Sequence, residues 1–143
     1  MLTAEQFWQQ SVTLYQAEGA QALLLDLQNN DKLNVNLGLL CQIADQNQWL
    51  VSDCLLAKMH EDVTAFSQSH TQKLRAIRLE VKTSLIDQFD TETLKKALLN
   101  AELEFEKLEQ QLLVKFTEKF LTSDTQPPPN NFTRYRNYCQ SMI

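Results

Sequence analysis

One apolar stripe constrains the fold of this chain more than any other feature. Its members recur at spacings of three and four residues: Leu94, Leu98, Ala101, Phe105, Leu108, Leu112, Phe116 and Phe120. This spacing places the side chains along one face of a single long helix. The stripe therefore predicts a helix over residues 91–121, opened by Asp90, that buries this face against a partner.

A second apolar stripe precedes the first and supplies that partner. It consists of Leu55, Met59, Val63, Phe66, Leu74, Ile77, Val81 and Leu85. No glycine or proline interrupts residues 50–86, which predicts one helix, or two with a break at Ser67–Ser69. The connection at 86–90 is short, so the two helices are expected to be antiparallel neighbours. The two stripes together predict a long helical hairpin over residues 50–121.

Folding the chain near residue 90 sets a register in which apolar side chains meet along both stripes. In this register Arg75 lies opposite Glu104, and Arg78 lies opposite Glu102. Charged pairs that flank an apolar stripe favour one pairing and orientation of the helices. We therefore expect the basic strip, defined as Lys73, Arg75, Arg78 and Lys82, to serve mainly in helix pairing. His70 falls near Glu109 in the same register.

Composition supports an all-α fold. The chain has 143 residues, of which 43% are apolar, but it contains only 2 glycines and 3 prolines. One domain of common size fits this length, and a sheet with many turns usually needs more glycine. The net charge of −5 argues against nucleic-acid binding over the whole surface. No apolar run is long enough for a membrane span, and the first residues do not resemble a signal peptide.

The remaining segments complete the predicted architecture. Residues 1–48 are expected to form a small unit of three short helices, which together with the hairpin makes a single helical domain over 1–123. Residues 124–143 are expected to be a proline linker and a tail that docks on the body through Phe132, Tyr135, Tyr138 and Met142. The three cysteines are odd in number and lack CxxC spacing, which favours reduced thiols in a cytoplasm.

Several segments in order carry a resemblance to a known family. They are FWQQSVTLYQAEG at 7–19, ALLLDLQ at 22–28, LNVNLGLLC at 33–41, LRAIRLEVK at 74–82 and AELEFEKLEQQLL at 101–113. Together they resemble a family of small uncharacterised gammaproteobacterial proteins, classified as a domain of unknown function. Glu18 stands where a proline is common in that family. The resemblance implies a cytoplasmic helical protein and brings no activity, cofactor or catalytic residue.

No motif in the sequence predicts catalysis, a cofactor or a metal. The acidic residues Glu102, Glu104, Glu106 and Glu109 lack the Glu-x-x-His spacing of a di-iron bundle, so a solvated face is expected. His60 and Glu61 begin like HExxH, but position 64 is threonine. Ser11, Ser52 and the cysteines are nucleophiles by type only, since no base can be argued from spacing. We expect a protein that is not an enzyme.

An aromatic and amide group near the N-terminus is the most distinctive set of side chains. Its members are Trp8, Tyr15, Asn34 and Asn36, and Asn36 interrupts an apolar run. Buried amides need hydrogen-bond partners and often hold a loop or a ligand. Caps of the third helix are the simpler interpretation of both asparagines. Any pocket is expected between the first helix and this cap.

Three functions remain open from the sequence. The first is a non-enzymatic interaction or adaptor protein with a protein partner, acting as a monomer or homodimer. The alternative is a binding module for a small anionic ligand or RNA, which would use the basic strip with Arg134 and Arg136. The third is an enzyme with a cryptic site around Trp8, Tyr15 and Asn36, which a concave pocket and a perturbed acid or base would support.

Overall fold

The computed structural model describes residues 2–85, 88–122 and 128–142, and these are mostly helical. The helices are α1 (Ala4–Tyr15), α2 (Ala20–Asp31), α3 (Val35–Gln46), α4 (Asp53–Phe66), α5 (Gln72–Glu80), α6 (Glu92–Val114) and α7 (Asn131–Ser141). A short antiparallel ribbon pairs β1 (Trp49–Leu50) with β2 (Leu121–Thr122). The predicted all-α class is confirmed, and the ribbon is a small addition that the sequence did not indicate.

Side-chain caps define where the first and third helices begin. Thr3 and Gln6 form a reciprocal capping box at α1, as the sequence indicates. The Asn34 side chain accepts a hydrogen bond from the Leu37 N–H at 3.0 Å and caps α3. Gly19 has a φ of +79° and separates α1 from α2 with a backbone conformation that glycine adopts without strain. These caps fix the three N-terminal helices that the sequence predicts.

The first arm of the hairpin is continuous. A π-helical turn (Ser67–Thr71) joins α4 to α5, and a second one (Val81–Leu85) follows α5. The π turn occupies the segment predicted as the likeliest break, so the helix changes its winding there instead of ending. Such turns often occur at functional sites. The tip of the hairpin at 86–87 lies outside the described residues, as does the side chain of Leu85.

The hairpin register is close to the predicted one. Arg78 pairs with Glu102, as expected. Arg75 contacts Glu102 and Glu106 instead of Glu104. Glu104 points to solvent, with 72% of its side chain exposed, because it lies on the side of α6 away from α5.

The most buried face of α6 differs from the predicted stripe. Leu94 and Leu108 are 46% and 42% exposed, and Ile77 of the opposite arm is 48% exposed. The most deeply buried side chains of α6 lie one or two positions from the stripe residues: Glu102, Glu109, Gln110 and Leu113. The reason is that α6 packs against α1 and α3 as well as against α5, so its deepest face lies between these neighbours. The predicted inner face was therefore wrong for Leu94, Leu108 and Ile77.

The core centres on α3, and the C-terminal tail docks against it. Eight of the 12 residues of α3 are buried, since α1, α2, α6 and α7 all contact it. Tyr135 and Cys139 of α7 are 0% and 1% exposed. The proline linker is described only from Pro128 onward, and 123–127 lie outside the described residues. Docking of α7 completes the wall of the space described next.

Candidate functional site

A cavity of about 920 Å³ lies between the N-terminal helices and the hairpin. It brings together six of the eight residues that the sequence nominated in two separate groups. These six are Trp8, Tyr15, Asn34, Asn36, Arg75 and Arg78. The other two, Lys73 and Lys82, are exposed on the hairpin and do not line the cavity. The basic strip is therefore divided between the cavity wall and the outer surface.

Glu109 forms the centre of the inner wall. Only 2% of the residue is exposed, and its carboxylate accepts hydrogen bonds from three neutral donors. Asn34 Nδ2 donates to Oε1 at 3.1 Å, Asn36 Nδ2 donates to Oε1 at 3.3 Å, and the Thr71 hydroxyl donates to Oε2 at 2.5 Å. Among the described residues no cationic side chain lies within 4 Å of this carboxylate. Glu109 is thus a buried acid without a cationic partner.

Gln110 lines the cavity beside Glu109 and is also 2% exposed. Its Nε2 donates to Asn36 Oδ1 at 2.9 Å and to Ser11 Oγ at 3.1 Å. Its Oε1 is buried and has no hydrogen-bond partner in the described part of the chain. An unmet buried acceptor costs free energy, and each such atom in a native protein requires an explanation.

Two arginines neutralise a second acid of the wall. Arg75 Nε and Arg78 Nε donate to the Glu102 carboxylate at 3.0 and 2.7 Å. Burial by itself raises the pKa of Glu102, but these hydrogen bonds outweigh it and leave the pKa below its ordinary value. The arginines that line the cavity are therefore already paired.

Glu106 lies between Glu102 and Glu109 on the same face of α6. Burial raises the pKa of Glu106 from 4.5 to about 7, and the neighbouring Glu109 adds to the rise while Arg75 opposes it. Burial and the nearby Glu106 also raise the pKa of Tyr15. This wall thus holds a carboxyl group that changes charge near neutral pH.

The far end of the cavity connects α4 to α7. His60 and Cys139 both line it, and burial lowers the pKa of His60. His60 Nδ1 lies 2.8 Å from the Tyr135 hydroxyl, which in turn accepts from the Asn34 N–H at 3.0 Å. The Asn34 side chain then reaches Glu109, so one hydrogen-bonded chain links α7 to the inner wall.

The structure corrects three sequence interpretations at this site. The predicted solvated acidic face was wrong for Glu102 and Glu109, which are buried because arginine, amide and hydroxyl donors satisfy them. Asn36 is not a cap, since its amide bridges Glu109 and Gln110. Thr71, not His70, meets Glu109.

His70 remains exposed and stacks on Phe66 at a centroid distance of 4.7 Å. Sequence reasoning also missed Ser11 and Gln110, which line the cavity, and Thr71, which donates to Glu109 from outside the lining. The sequence did contain one indication of a shared acidic surface, because the spacing of Glu102, Glu106 and Glu109 places all three acids on one face of a helix.

The comparisons with known proteins place the chain in a family. A family model described as "Protein of unknown function (DUF2390)" matches residues 6–113. The chain belongs to this family. The resemblance to a domain of unknown function is thereby confirmed. No curated protein and no solved structure matches the chain.

We define the polar wall as Ser11, Asn34, Asn36, Arg75, Arg78, Glu102, Glu106, Glu109 and Gln110. The matched region of this DUF2390 protein contains the whole polar wall, whereas α7 lies beyond it. No helix in the described ranges has the length and apolar character that crossing a membrane requires. Those ranges also hold no group of three or more His, Cys, Asp or Glu side chains arranged around a metal. What the wall offers chemically is an unpartnered amide oxygen, on Gln110, beside the buried carboxylate of Glu109.

Proposed function

We propose that this DUF2390 protein is a binding module for a small polar molecule held in the cavity. The observation that carries the proposal is the unpartnered Gln110 Oε1, buried in the wall beside Glu109. Small-molecule sites usually measure about 300–1,000 Å³ and combine apolar walls with a few convergent polar groups. A cavity of about 920 Å³ with this wall has those properties.

The energetics of the wall support a ligand over a purely structural role. Burying an amide or carboxylate costs free energy unless every polar atom finds a partner. Leucine-like residues at the positions of Asn36, Glu109 and Gln110 would fill a helical core without that cost. A site that retains three buried polar side chains around an unmet acceptor fits a protein whose partner is a separate molecule.

The other functions predicted from the sequence have different support. The adaptor function stays a prediction, since a cavity neither favours nor opposes a protein partner. The anionic-ligand alternative has less support, because Arg75 and Arg78 are paired with Glu102. A cryptic enzyme site has its predicted cavity and one perturbed acid, Glu106, and it stays a prediction.

We also propose a cytoplasmic location in gammaproteobacteria, as the resemblance implies. Cys41, Cys54 and Cys139 are free thiols, and the first and third are buried. Free thiols fit a reducing compartment.

Two tryptophan variants of α2 test the binding proposal. Leu25 lines the cavity and is 38% exposed, whereas Leu23 is 42% exposed on the same helix and does not line it. A library of small amines, alcohols, amides and carboxylates is screened by nuclear magnetic resonance of the Asn36 and Gln110 side-chain amides. We expect hits on the wild-type protein, at least tenfold weaker binding to Leu25→Trp, and unchanged binding to Leu23→Trp. The proposal fails if no compound shifts these amides or if both variants behave alike.

A further inference from the structure

The polar wall also indicates which chemical class of ligand the cavity accepts. We propose that the ligand presents a protonated amine to the wall, where Glu109 and the Gln110 carbonyl oxygen receive it. This inference rests on the proposed binding function. It concerns the chemistry of the buried group and leaves the rest of the ligand open.

The hydrogen-bond inventory of the wall shows an excess of acceptors. The Glu109 carboxylate accepts three hydrogen bonds, whereas a carboxylate has about four acceptor sites. Gln110 Oε1 accepts none, while both donor contacts of its Nε2 are made within the protein. The hydrogen-bonding positions of Glu109 and Gln110 that remain unused are therefore acceptors. An ammonium group carries three donors and no acceptor, so it matches this capacity.

The Asn36 side chain bridges Glu109 and Gln110. Asn36 donates to Glu109 Oε1 at 3.3 Å and accepts from Gln110 Nε2 at 2.9 Å. A single amide group thus contacts both neighbours and holds the carboxylate and the glutamine side chain next to each other. Gln110 Oε1 itself is enclosed, so the ammonium group reaches it only once the glutamine side chain turns toward the cavity.

The position of the charges in the wall also favours a cation at Glu109. Three cationic side chains (Lys32, Arg75 and Arg78) and three acidic ones (Glu102, Glu106 and Glu109) line the cavity, so their formal charges cancel. The arginines contact Glu102 and Glu106, which leaves Glu109 as the acid without a cation. A carboxylate in a low-dielectric wall attracts cations strongly, and the net charge of −5 adds to this field. An anionic group at the same position would meet Glu109 directly.

Three four-carbon probes of different charge test the inference. They are 1,4-diaminobutane, which is cationic, 1,4-butanediol, which is neutral, and succinate, which is anionic. Each is titrated into the full chain at pH 7.5 and matched ionic strength, and the side-chain amide signals of Asn36 and Gln110 are followed. We expect the diamine to bind at least tenfold more tightly than the diol or succinate.

Two matched glutamine variants test whether Glu109 is the residue that binds the diamine. Glu109→Gln keeps the shape of the side chain and removes its charge, so we expect at least tenfold weaker diamine binding. Glu104 lies on the same helix with 72% of its side chain exposed, so Glu104→Gln serves as the control. We expect it to change the affinity for the diamine by less than twofold. Should Glu109→Gln fold poorly, the three probes on the wild-type protein still decide the question.

The outcomes separate this inference from the proposed function. Equal or tighter binding of the diol or succinate at Asn36 and Gln110 overturns the amine inference and leaves the binding function in place. The same holds if the diamine fails while other compounds of the library bind there. If nothing in the library or among the three probes shifts these signals, both proposals fail.

Discussion

The Tyr135 hydroxyl lies 2.8 Å from His60 Nδ1 and accepts a hydrogen bond from the Asn34 N–H at 3.0 Å. Tyr135 is completely buried, so this oxygen joins α7 to α4 and to the cap of α3 without access to solvent. Asn34 in turn contacts Glu109 in the wall of the cavity. The tail therefore stabilises the polar wall through one phenol oxygen.

Removing that oxygen is expected to destabilise the protein. Tyr135→Phe keeps the ring but leaves the Asn34 N–H and His60 Nδ1 without their partner, which costs about 1–3 kcal/mol. Urea unfolding measures this change. Tyr138→Phe is the control: Tyr138 also packs edge-on against His60, at a centroid distance of 5.6 Å, but is only partly buried. Equal losses in both variants would contradict the role assigned to the Tyr135 oxygen.

The ion pairs of Glu102 give a second prediction. Glu102→Gln leaves Arg75 and Arg78 facing a neutral amide, and we expect a loss of about 2 kcal/mol at pH 7, because hydrogen bonds to charged groups are the strong ones. The pKa of Glu102 is lowered from 4.5, so this contribution is complete above that pH and is lost as the pH falls through the lowered pKa.

The exposed Glu104 provides the comparison for Glu102. Its contact with Lys107 at 3.4 Å is at the surface, so Glu104→Gln is expected to change stability by less than about 0.5 kcal/mol. The free energy of unfolding of both variants, measured with denaturant from pH 3 to pH 8, tests these two predictions. A Glu102 effect that does not depend on pH would show that packing, and not charge, is responsible.

Glu106 is expected to make stability depend on pH in the opposite sense. Its pKa is about 7 in the folded protein and ordinarily 4.5, so between these values the folded state binds more protons than the unfolded state. The contribution of Glu106 to the free energy of unfolding of the wild-type protein therefore falls as the pH rises from 4.5 to about 7. Glu106→Gln does not titrate, and we expect its stability relative to wild type to increase by about 1–2 kcal/mol from pH 5 to pH 8, a range that allows for partial solvent screening.

The difference between the two proteins is the quantity to measure for Glu106. Unfolding curves of wild type and Glu106→Gln at matched pH values cancel the titration of His60 and other shared groups. The charged groups facing Glu106 are Glu102 and Glu109 on α6 and Arg75 and Arg78 on α5, and they remain in both proteins. A constant difference from pH 5 to pH 8 would show that burial does not raise the pKa of Glu106.

Periodicity predicted the architecture because it reports which elements are helices. The two stripes indicated both arms of the hairpin, and the short connection indicated their antiparallel pairing. The π-helical turn at Ser67–Thr71 coincides with the polar run that signalled a break. The stripe failed for Leu94 and Leu108 because burial depends on how many helices surround α6, and that number is a tertiary property.

The polar wall was only partly predictable for a related physical reason. Asn36 attracted notice because an amide in an apolar run needs a partner, and the structure supplies Glu109 and Gln110. Those partners lie more than seventy residues away in the sequence. Charged residues on a helix are ordinarily solvated, so the sequence favoured exposure of Glu109. Only the packing of α1 and α3 on α6 reverses that expectation.

The start of α7 gives the last prediction. The Asp45 carboxylate of α3 accepts hydrogen bonds from the Asn131 N–H at 2.7 Å and the Phe132 N–H at 3.2 Å, so it caps α7 from a neighbouring helix. Asp45→Asn is expected to cost about 1 kcal/mol and to increase hydrogen exchange of the α7 amides. Asp53→Asn removes another tail contact, to Arg134, but Asp53 is 86% exposed and we expect little change. Faster exchange throughout the protein in Asp45→Asn, without a preference for α7, would contradict a local capping role.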